Sequence, residues 1–182
     1  MTSRARFVLE DARVALALHT QAKAGPAFRA SWFAVIGLLR AVGHVLEKID
    51  GASDSHLANA VSVCWKELNA SRPEPAIYWG FIEGERNRFI KNYEHGITRL
   101  QIIRTGSSNN VLALDLANAG KATQLVSVYN ILPELPDRSV ISVLADGPFA
   151  GHAETHVASQ AIDWWNQYLV KVESLARQYA EA

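Results

Sequence analysis

Hydrophobic residues recur every three or four positions over the first half of the chain, and this period predicts a series of amphipathic helices. We expect the first helix over residues 3–23, with its inward face formed by Phe7, Asp11, Val14, Ala15 and Leu18. The second helix, over residues 26–49, starts with Pro26 in its first turn. It carries the widest apolar stripe of the chain: Trp32, Val35, Ile36, Leu39, Val42, Leu46 and Ile49.

Two further helices are predicted before residue 97. Ser53 or Asp54 is a suitable N-cap for a third helix that reaches about residue 69. The segment SRPEP, residues 71–75, interrupts the helical pattern. A fourth helix then runs to about residue 95, with Gly96 as the residue beyond its end. Four helices joined by short connections predict an up-and-down bundle.

The pattern changes after residue 96. Short runs rich in Val, Ile, Leu and Thr, separated by turn segments, predict antiparallel strands: ITRLQIIRT, VLALDLA, TQLVSVYNIL and SVISVLA, with GSSNN, NAGK and PELPD between them. The helical period returns from about residue 154, and Trp165 of the Trp164–Trp165 pair is expected to face inward. The predicted fold class is α+β, mainly α. We expect a single domain over 1–182, made of a helical bundle (1–96), a β-rich insertion (97–147) and a long C-terminal helix (153–182).

Composition limits the classes of function. The chain has 182 residues, with 18 basic and 18 acidic side chains, so its zero net charge excludes a strongly basic nucleic-acid binder but leaves room for a local patch. The single cysteine excludes an intrachain disulfide. Charged residues interrupt the N-terminus and also the most apolar run, which contains Arg40 and His44. We therefore predict a cytoplasmic protein without a membrane span.

The charged segment GERNRFIKNYEHG, residues 84–96, carries the candidate chemistry. On a straight helix at about 100° per residue, Arg86 lies in the middle of the apolar stripe and Glu83 at its edge. The apolar members of this stripe are Trp79, Ile82, Phe89, Ile90, Tyr93 and Ile97. A buried arginine needs a partner, because an unpaired interior charge is strongly unfavourable. Three interpretations stay open: an Arg86–Glu83 ion pair, a cleft in which Arg86 binds an anion such as phosphate, or a segment that is not one straight helix.

Arg40 and His44 raise the same question on the second helix, where they share a face with Glu47. This face is either an exposed polar edge or the surface that meets the fourth helix. In the second case five side chains converge on one site: Arg40, His44, Glu83, Glu85 and Arg86.

The segment ERNRFIKNYEHG resembles the conserved segment of HEPN domains, which are small helical bundles with an Arg-x(4–6)-His motif in the last bundle helix. Arg86–Asn87 matches the usual arginine–asparagine opening of that motif. Active members of the family resemble metal-independent ribonucleases, often toxins, that dimerise so that two motifs share one cleft. In them the histidine handles protons at the phosphodiester, the arginine stabilises negative charge and the asparagine positions one of the two.

The match departs from the tightest form of the motif, because Lys91 stands where histidine is usual. Arg88 and His95 satisfy its loosest form, with six residues between them. On one helix these two side chains are separated by about 10 Å along the axis, so they act together only across a dimer. The resemblance implies a catalytic set of Arg88, His95 and Asn87. The ligand-binding set is Arg86, Glu83, Lys91, Arg40 and His44.

Other chemistries find little support in the sequence. His152 and His156 lie four apart but lack a third ligand, so neither a metal nor another cofactor is expected. The first hypothesis is a HEPN-like homodimer that binds RNA or nucleotide phosphate, as a metal-independent ribonuclease of toxin or defence type, with an antitoxin-type protein as a partner. The alternative is a non-catalytic protein-interaction module that binds an unknown partner.

Overall fold

The computed structural model describes residues 2–22, 24–104, 111–115, 121–123 and 138–181. Its contacts divide the chain into two compact units, Met1–His95 with Ala158–Ala182, and Gly96–Val157. The first unit is helical and the second contains the strands. The assignment of the whole chain to one domain stays a prediction.

The helical unit is the predicted up-and-down bundle, and the fold class α+β, mainly α, is confirmed. Its helices are α1 (Ser3–Gln21), α2 (Gly25–Val45), α3 (Ser55–Ala70), α4 (Glu83–Asn92) and, after the strands, α5 (Glu154–Glu181). A π-helical turn, Leu46–Asp50, and a 3₁₀ turn, Gly51–Ser53, extend α2. A second π-helical turn, Ile77–Ile82, leads directly into α4.

The starts of three helices have identifiable causes. Pro26 lies in the first turn of α2, as predicted. Asp54 is the N-cap of α3, and its carboxylate accepts hydrogen bonds from the backbone N–H groups of His56 and Leu57. Helix α1 has no local cap; the buried Asp50 carboxylate instead accepts from the N–H groups of its residues 4 and 5, at 3.1 and 2.9 Å.

The predicted stripe of α2 forms the centre of the core. All but the last of its predicted members are buried: Trp32, Val35, Ile36, Leu39, Val42 and Leu46. Ile49 is 52% exposed, which corrects the prediction for that residue. It lies in the π-helical turn, where the angle per residue is smaller than in an α-helix and the stripe leaves the inward direction.

The inward face of α1 differs from the predicted one. Phe7, Val14 and Leu18 are exposed, at 64, 54 and 57%, and Asp11 is exposed as well. The buried face consists mainly of small side chains: Ala5, Leu9, Ala12, Ala15 and His19. Helix α1 therefore packs in the bundle through an alanine-rich stripe, and its more hydrophobic side lies on the surface.

The stretch Gly25–Ser53 is long and apolar enough to cross a membrane by length and composition, with a mean hydropathy of 1.3. It also holds the buried stripe of the bundle, from Trp32 to Leu46. The core helix of a soluble protein passes the same test, so this candidate, one in the residues that the structure describes, is weak support for a membrane span.

The second unit contains a four-stranded antiparallel sheet in the order β3–β2–β1–β4. The strands are β1 (Ile97–Arg104), β2 (Val111–Asp115), β3 (Lys121–Thr123) and β4 (Arg138–Leu144). Strand β1 pairs with both neighbours, with Leu100 opposite Asp115 on one side and Ile141 on the other. Strand β3 begins at Lys121, inside the NAGK segment taken as a turn. The rest of the third predicted strand lies outside the described residues.

Candidate functional site

The segment that carries the candidate chemistry is not one straight α-helix. Six residues, Ile77–Ile82, form a π-helical turn, and α4 then ends at Asn92. Tyr93 has a left-handed backbone (φ 56°, ψ 36°), and its N–H donates to the Phe89 carbonyl at 2.9 Å. Tyr93, rather than Gly96, is therefore the residue beyond the helix end, and the third interpretation of this segment is confirmed.

The buried ridge of this segment differs by about one residue from the predicted stripe. It consists of Tyr78, Phe81, Ile82 and Glu85. Arg86 is half-buried, and Ile90 and Tyr93, which were predicted to face inward, are 59 and 67% exposed. The prediction assumed a uniform rotation of about 100° per residue. It is wrong here because a π-helical turn precedes α4, and because the helix lacks its last predicted turn.

Glu83 forms its ion pair with Arg40 of α2. The Arg40 Nε lies 2.6 Å from Glu83 Oε1, and both side chains are partly buried, with Arg40 32% and Glu83 17% exposed. The Tyr78 hydroxyl, 3.4 Å away, donates to the same carboxylate oxygen. Burial raises the pKa of Tyr78, so this hydroxyl keeps its proton. The predicted meeting of α2 with the fourth helical segment is confirmed for Arg40 and Glu83.

Arg86 has a different partner from the one predicted. Its Nη1 donates to the Asn87 side-chain oxygen at 2.9 Å. Within the described residues it has no carboxylate partner, because Glu83 pairs with Arg40 instead. The proposed Arg86–Glu83 ion pair is wrong, and the hydrogen-bond partner of Arg86 among the described residues is the neutral amide of Asn87.

An open cleft of about 410 Å³ lies on this side of the bundle, and we call it the arginine cleft. Its lining comes from α2, α3, the 71–75 segment and the fourth helical segment: Arg40, Trp65, Arg72, Pro73, Trp79, Glu83 and Asn87. The Arg72 guanidinium lies 3.5 Å from the centre of the Trp79 ring, and its Nη2 donates to Asn69 Oδ1 at 3.2 Å. Trp79 Nε1 donates to the Leu68 carbonyl, which holds the indole in this orientation.

The charges around the arginine cleft do not cancel. Arg40 and Glu83 neutralise each other. Arg72 lines the cleft and Arg86 is bonded to Asn87 of its wall, and neither has a carboxylate partner in the part of the chain that the structure describes. A guanidinium stacked on an aromatic face keeps its in-plane N–H donors available. The cleft therefore offers the Arg72 cation and aromatic surface to an anionic ligand, and Arg86 lies next to its wall through the bond to Asn87.

Glu85 is the buried carboxylate of α4, and it lies beside Arg88. Its Oε2 accepts from the Trp32 indole N–H at 3.1 Å, and its Oε1 lies 3.4 Å from Arg88 Nε. Arg88 is thus held against a buried acid. This arrangement reduces the positive charge that Arg88 presents to solvent.

The residues of the predicted catalytic set lie in different local settings. Arg88 and Asn87 belong to α4, whereas His95 follows the helix end. The half-buried His95 ring packs edge-on against Phe28, with ring centres 6.1 Å apart. The catalytic assignment of these three residues stays a prediction.

Three predicted ligand-binding residues are outside the lining of the arginine cleft: Arg86, Lys91 and His44. Lys91 is exposed in the last turn of α4. His44 is exposed on α2 and lines a different cleft, which also contains Arg40. The structure therefore does not bring together in one site the five side chains that were predicted to converge: Arg40, His44, Glu83, Glu85 and Arg86.

Sequence reasoning missed Arg72 and Trp79 as a pair. The segment 71–75 was interpreted only as a break between helices, and Trp79 only as a member of the apolar stripe. An arginine seven residues before a tryptophan, across a proline-rich turn, is a weak signal, because the path of the turn decides whether the two side chains meet.

The described residues contain no group of three histidine, cysteine, aspartate or glutamate side chains placed to hold a metal ion. Comparison with known proteins found no matching family model, no similar curated protein and no similar solved structure.

Proposed function

We propose that this chain is a HEPN-like cytoplasmic protein that binds single-stranded RNA through the arginine cleft. The observation that carries the proposal is the pair of arginines without acidic partners, Arg72 in the cleft and Arg86 bonded to its wall. A guanidinium group is a better phosphate ligand than the point charge of a lysine, because its planar set of N–H donors can bind two phosphate oxygens at once. The likeness of Arg86–Asn87 to the HEPN motif supports the same choice of ligand.

The aromatic side chains of the cleft favour RNA over a free phosphate ion. Trp65 and Trp79 both line it, with ring centres 6.2 Å apart. Unpaired bases stack on tryptophan and on arginine planes, and this contact tolerates any base sequence. We infer that phosphates contact Arg72 and Arg86 while a base stacks beside the Arg72–Trp79 pair.

The catalytic part of the proposal concerns Arg88, His95 and Asn87. In a HEPN-like mechanism His95 transfers the proton at the scissile phosphodiester, and Arg88 stabilises the developing negative charge. Two subunits of a homodimer supply these groups to one cleft. An antitoxin-type protein that covers the cleft is the corresponding partner for a toxin of this kind.

Helix α1 offers a surface for the homodimer. Phe7, Val14 and Leu18 are exposed along one side of the helix. Sedimentation velocity of the wild type and of Leu18→Glu tests this part of the proposal. We expect a dimer that dissociates in the variant, and a wild-type monomer at about 100 μM would reject it.

RNA binding is tested by fluorescence anisotropy with a labelled single strand of about ten nucleotides. We expect Arg72→Ala and Arg86→Ala each to weaken binding by about tenfold, as for the loss of a charge-assisted hydrogen bond. Arg29→Ala removes an exposed arginine elsewhere on α2 and is the matched control. If the wild type fails to bind, or if all three variants bind alike, the proposal is rejected.

Cleavage is tested separately, with the same RNA and a chelator present. We expect cleavage by the wild type to be lost in His95→Ala and in Arg88→Ala, with binding retained in His95→Ala. Binding without any cleavage would restrict the function to recognition and remove the ribonuclease assignment.

A further inference from the structure

Glu83 brings a hydrogen-bond acceptor to the arginine cleft. Its side chain lines the cleft and is 17% exposed. The carboxylate contacts Arg40 Nε and the Tyr78 hydroxyl, and both of these contacts go to Oε1. The other oxygen, Oε2, bonds to none of the described residues, yet it is not one of their buried polar atoms that lack a partner, so it is open to solvent. Glu83 can therefore accept hydrogen bonds from a ligand through Oε2.

Asn87 supplies a donor next to this acceptor. It lies four residues after Glu83 on α4, so the two side chains share one face of the helix, with Cβ atoms about 5 to 6 Å apart. Both line the arginine cleft. The Asn87 Oδ1 accepts from Arg86 Nη1, which leaves the two N–H donors of the amide for a ligand. Its Nδ2, like Glu83 Oε2, is not a buried atom without a partner in the part of the chain that the structure describes.

The charges of the lining indicate what kind of group donates to Glu83. Among the described residues of the lining, Arg40 and Arg72 carry two positive charges against the one carboxylate of Glu83. An ammonium or guanidinium ligand would meet a net positive site, so donors on a neutral group fit Glu83 better. The N–H groups of a nucleic-acid base are donors of this kind, and the tryptophans of the cleft give the base aromatic surface to stack on.

The four bases of RNA differ in what they present to an acceptor beside a donor. Guanine carries two adjacent donors, N1–H and the N2 amino group, next to the acceptor O6. Adenine and cytosine place one amino donor beside a ring-nitrogen acceptor, and uracil has acceptors on both sides of its single N–H. A carboxylate oxygen has lone pairs for two donors, and an amide N–H suits O6. Guanine is therefore the base that best matches Glu83 and Asn87.

We propose that the arginine cleft selects guanine in the RNA strand that it binds, and that Glu83 and Asn87 determine this preference. The inference rests on the proposed RNA binding and adds base specificity to it. Glu83 Oε2 accepts from N1–H and from the N2 amino group, and Asn87 Nδ2 donates to O6. Stacking on tryptophan holds any base, whereas these hydrogen bonds distinguish guanine from the other three.

The test compares labelled strands of about ten uridines by fluorescence anisotropy, with the central uridine kept or replaced by guanosine, adenosine or 1-methylguanosine. Adenosine is the matched purine, because it stacks like guanosine but lacks the two adjacent donors. 1-Methylguanosine keeps the ring and loses the N1–H donor. We expect the guanosine strand to bind about tenfold more tightly than the other three. Equal affinity for guanosine and adenosine, or undiminished affinity for 1-methylguanosine, would overturn the proposal.

Glu83→Gln tests the role of the carboxylate. If the amide oxygen keeps the contact with Arg40, an NH₂ group replaces Oε2 and meets the guanine donors. We expect the affinity ratio of guanosine to adenosine strands to fall from about tenfold to about twofold or less. Glu67→Gln is the matched control, because Glu67 also forms an ion pair, with Lys171, but is outside the lining of the arginine cleft. The same ratio in both variants would overturn the assignment to Glu83. Circular dichroism checks that both variants fold, and the comparison of bases in the wild type does not depend on them.

Mononucleotides separate this inference from the proposal of RNA binding. Calorimetric titration with guanosine and adenosine 5′-monophosphate, each up to about 10 mM, measures the base preference without a strand. If no strand binds, RNA binding is rejected, and only a preference for the guanosine nucleotide that Glu83→Gln removes would keep the guanine site. If the strands bind without preference for a base, RNA binding stands and the guanine site is rejected.

Discussion

Glu85 is the residue that joins α4 most closely to the core. Its carboxylate accepts from the fully buried Trp32 indole and lies against Arg88. Glu85→Ala leaves the Trp32 N–H without its acceptor, so we expect a loss of about 2 to 3 kcal/mol in the free energy of unfolding. Glu85→Gln keeps an acceptor oxygen and should cost about 1 kcal/mol or less.

Urea unfolding of both variants measures this difference. Glu10→Ala is the control, because Glu10 forms only an exposed ion pair with Arg13 and should change stability by less than about 0.5 kcal/mol. Equal losses in Glu85→Ala and Glu85→Gln would show that the indole hydrogen bond contributes little.

At the scale of the element, α1 presents its more hydrophobic side to solvent. Leu9 is 1% exposed, whereas Leu18 is 57% exposed. We therefore expect Leu9→Ala to lower the free energy of unfolding by about 2 to 4 kcal/mol through the cavity it leaves. Leu18→Ala should change it by less than about 0.5 kcal/mol when the protein is monomeric. Thermal melts at low protein concentration compare the two, and a larger loss for Leu18→Ala would contradict the observed face.

The α1 result shows where hydrophobic periodicity stops being informative. Helix α2 has one dominant stripe, and its buried residues follow from the sequence. Helix α1 has two candidate faces, one with three large apolar residues and one rich in alanine. Alanine fits either a buried or an exposed position, so the sequence cannot show which face meets the bundle.

An ion pair joins α1 to α5. Arg6 Nη2 lies 2.7 Å from Glu173 Oε2, and the Thr2 hydroxyl also donates to the same carboxylate group. These donors lower the pKa of Glu173 from 4.5 to about 2. Because the folded-state pKa is the lower one, the pair stabilises the fold above pH 4.5 and this contribution disappears as the pH falls to about 2.

The pH dependence of unfolding in Glu173→Gln isolates this contribution, because all other carboxylates titrate in both proteins. We expect the variant to be less stable by about 1 kcal/mol at neutral pH, after allowance for partial exposure, and equally stable near pH 2. If the free energies of unfolding of the wild type and the variant run parallel over this pH range, the bonds from Arg6 and Thr2 to Glu173 do not stabilise the fold.

At the scale of the whole molecule, the sequence predicted the class and order of elements but not the candidate site. Bundle, strands and final helix follow from the change of hydrophobic period, and Asp54 and Pro26 act as their residue types suggest. The arginine cleft depends on the path of residues 71–75 and on a π-helical turn, which brings Arg72 over Trp79 and turns Glu83 toward Arg40. Neither the path of residues 71–75 nor the π-helical turn appears in the hydrophobic period of the sequence, because each is a local departure from regular helix geometry.

Because the net charge is zero, the salt dependence of RNA binding shows whether the RNA phosphates bind at the arginine cleft. Without a strongly positive molecule, we expect RNA phosphates to be neutralised at the two guanidinium groups near the arginine cleft, Arg72 and Arg86, and this neutralisation releases the counterions that those phosphates hold. We expect the logarithm of the association constant to fall with the logarithm of salt concentration at a slope of about −1.4, as for two phosphates of a single strand. Arg72→Ala should bring the slope to about −0.7, while Arg29→Ala leaves it unchanged. A slope that Arg72→Ala does not alter would mean that the bound phosphates lie elsewhere on the surface.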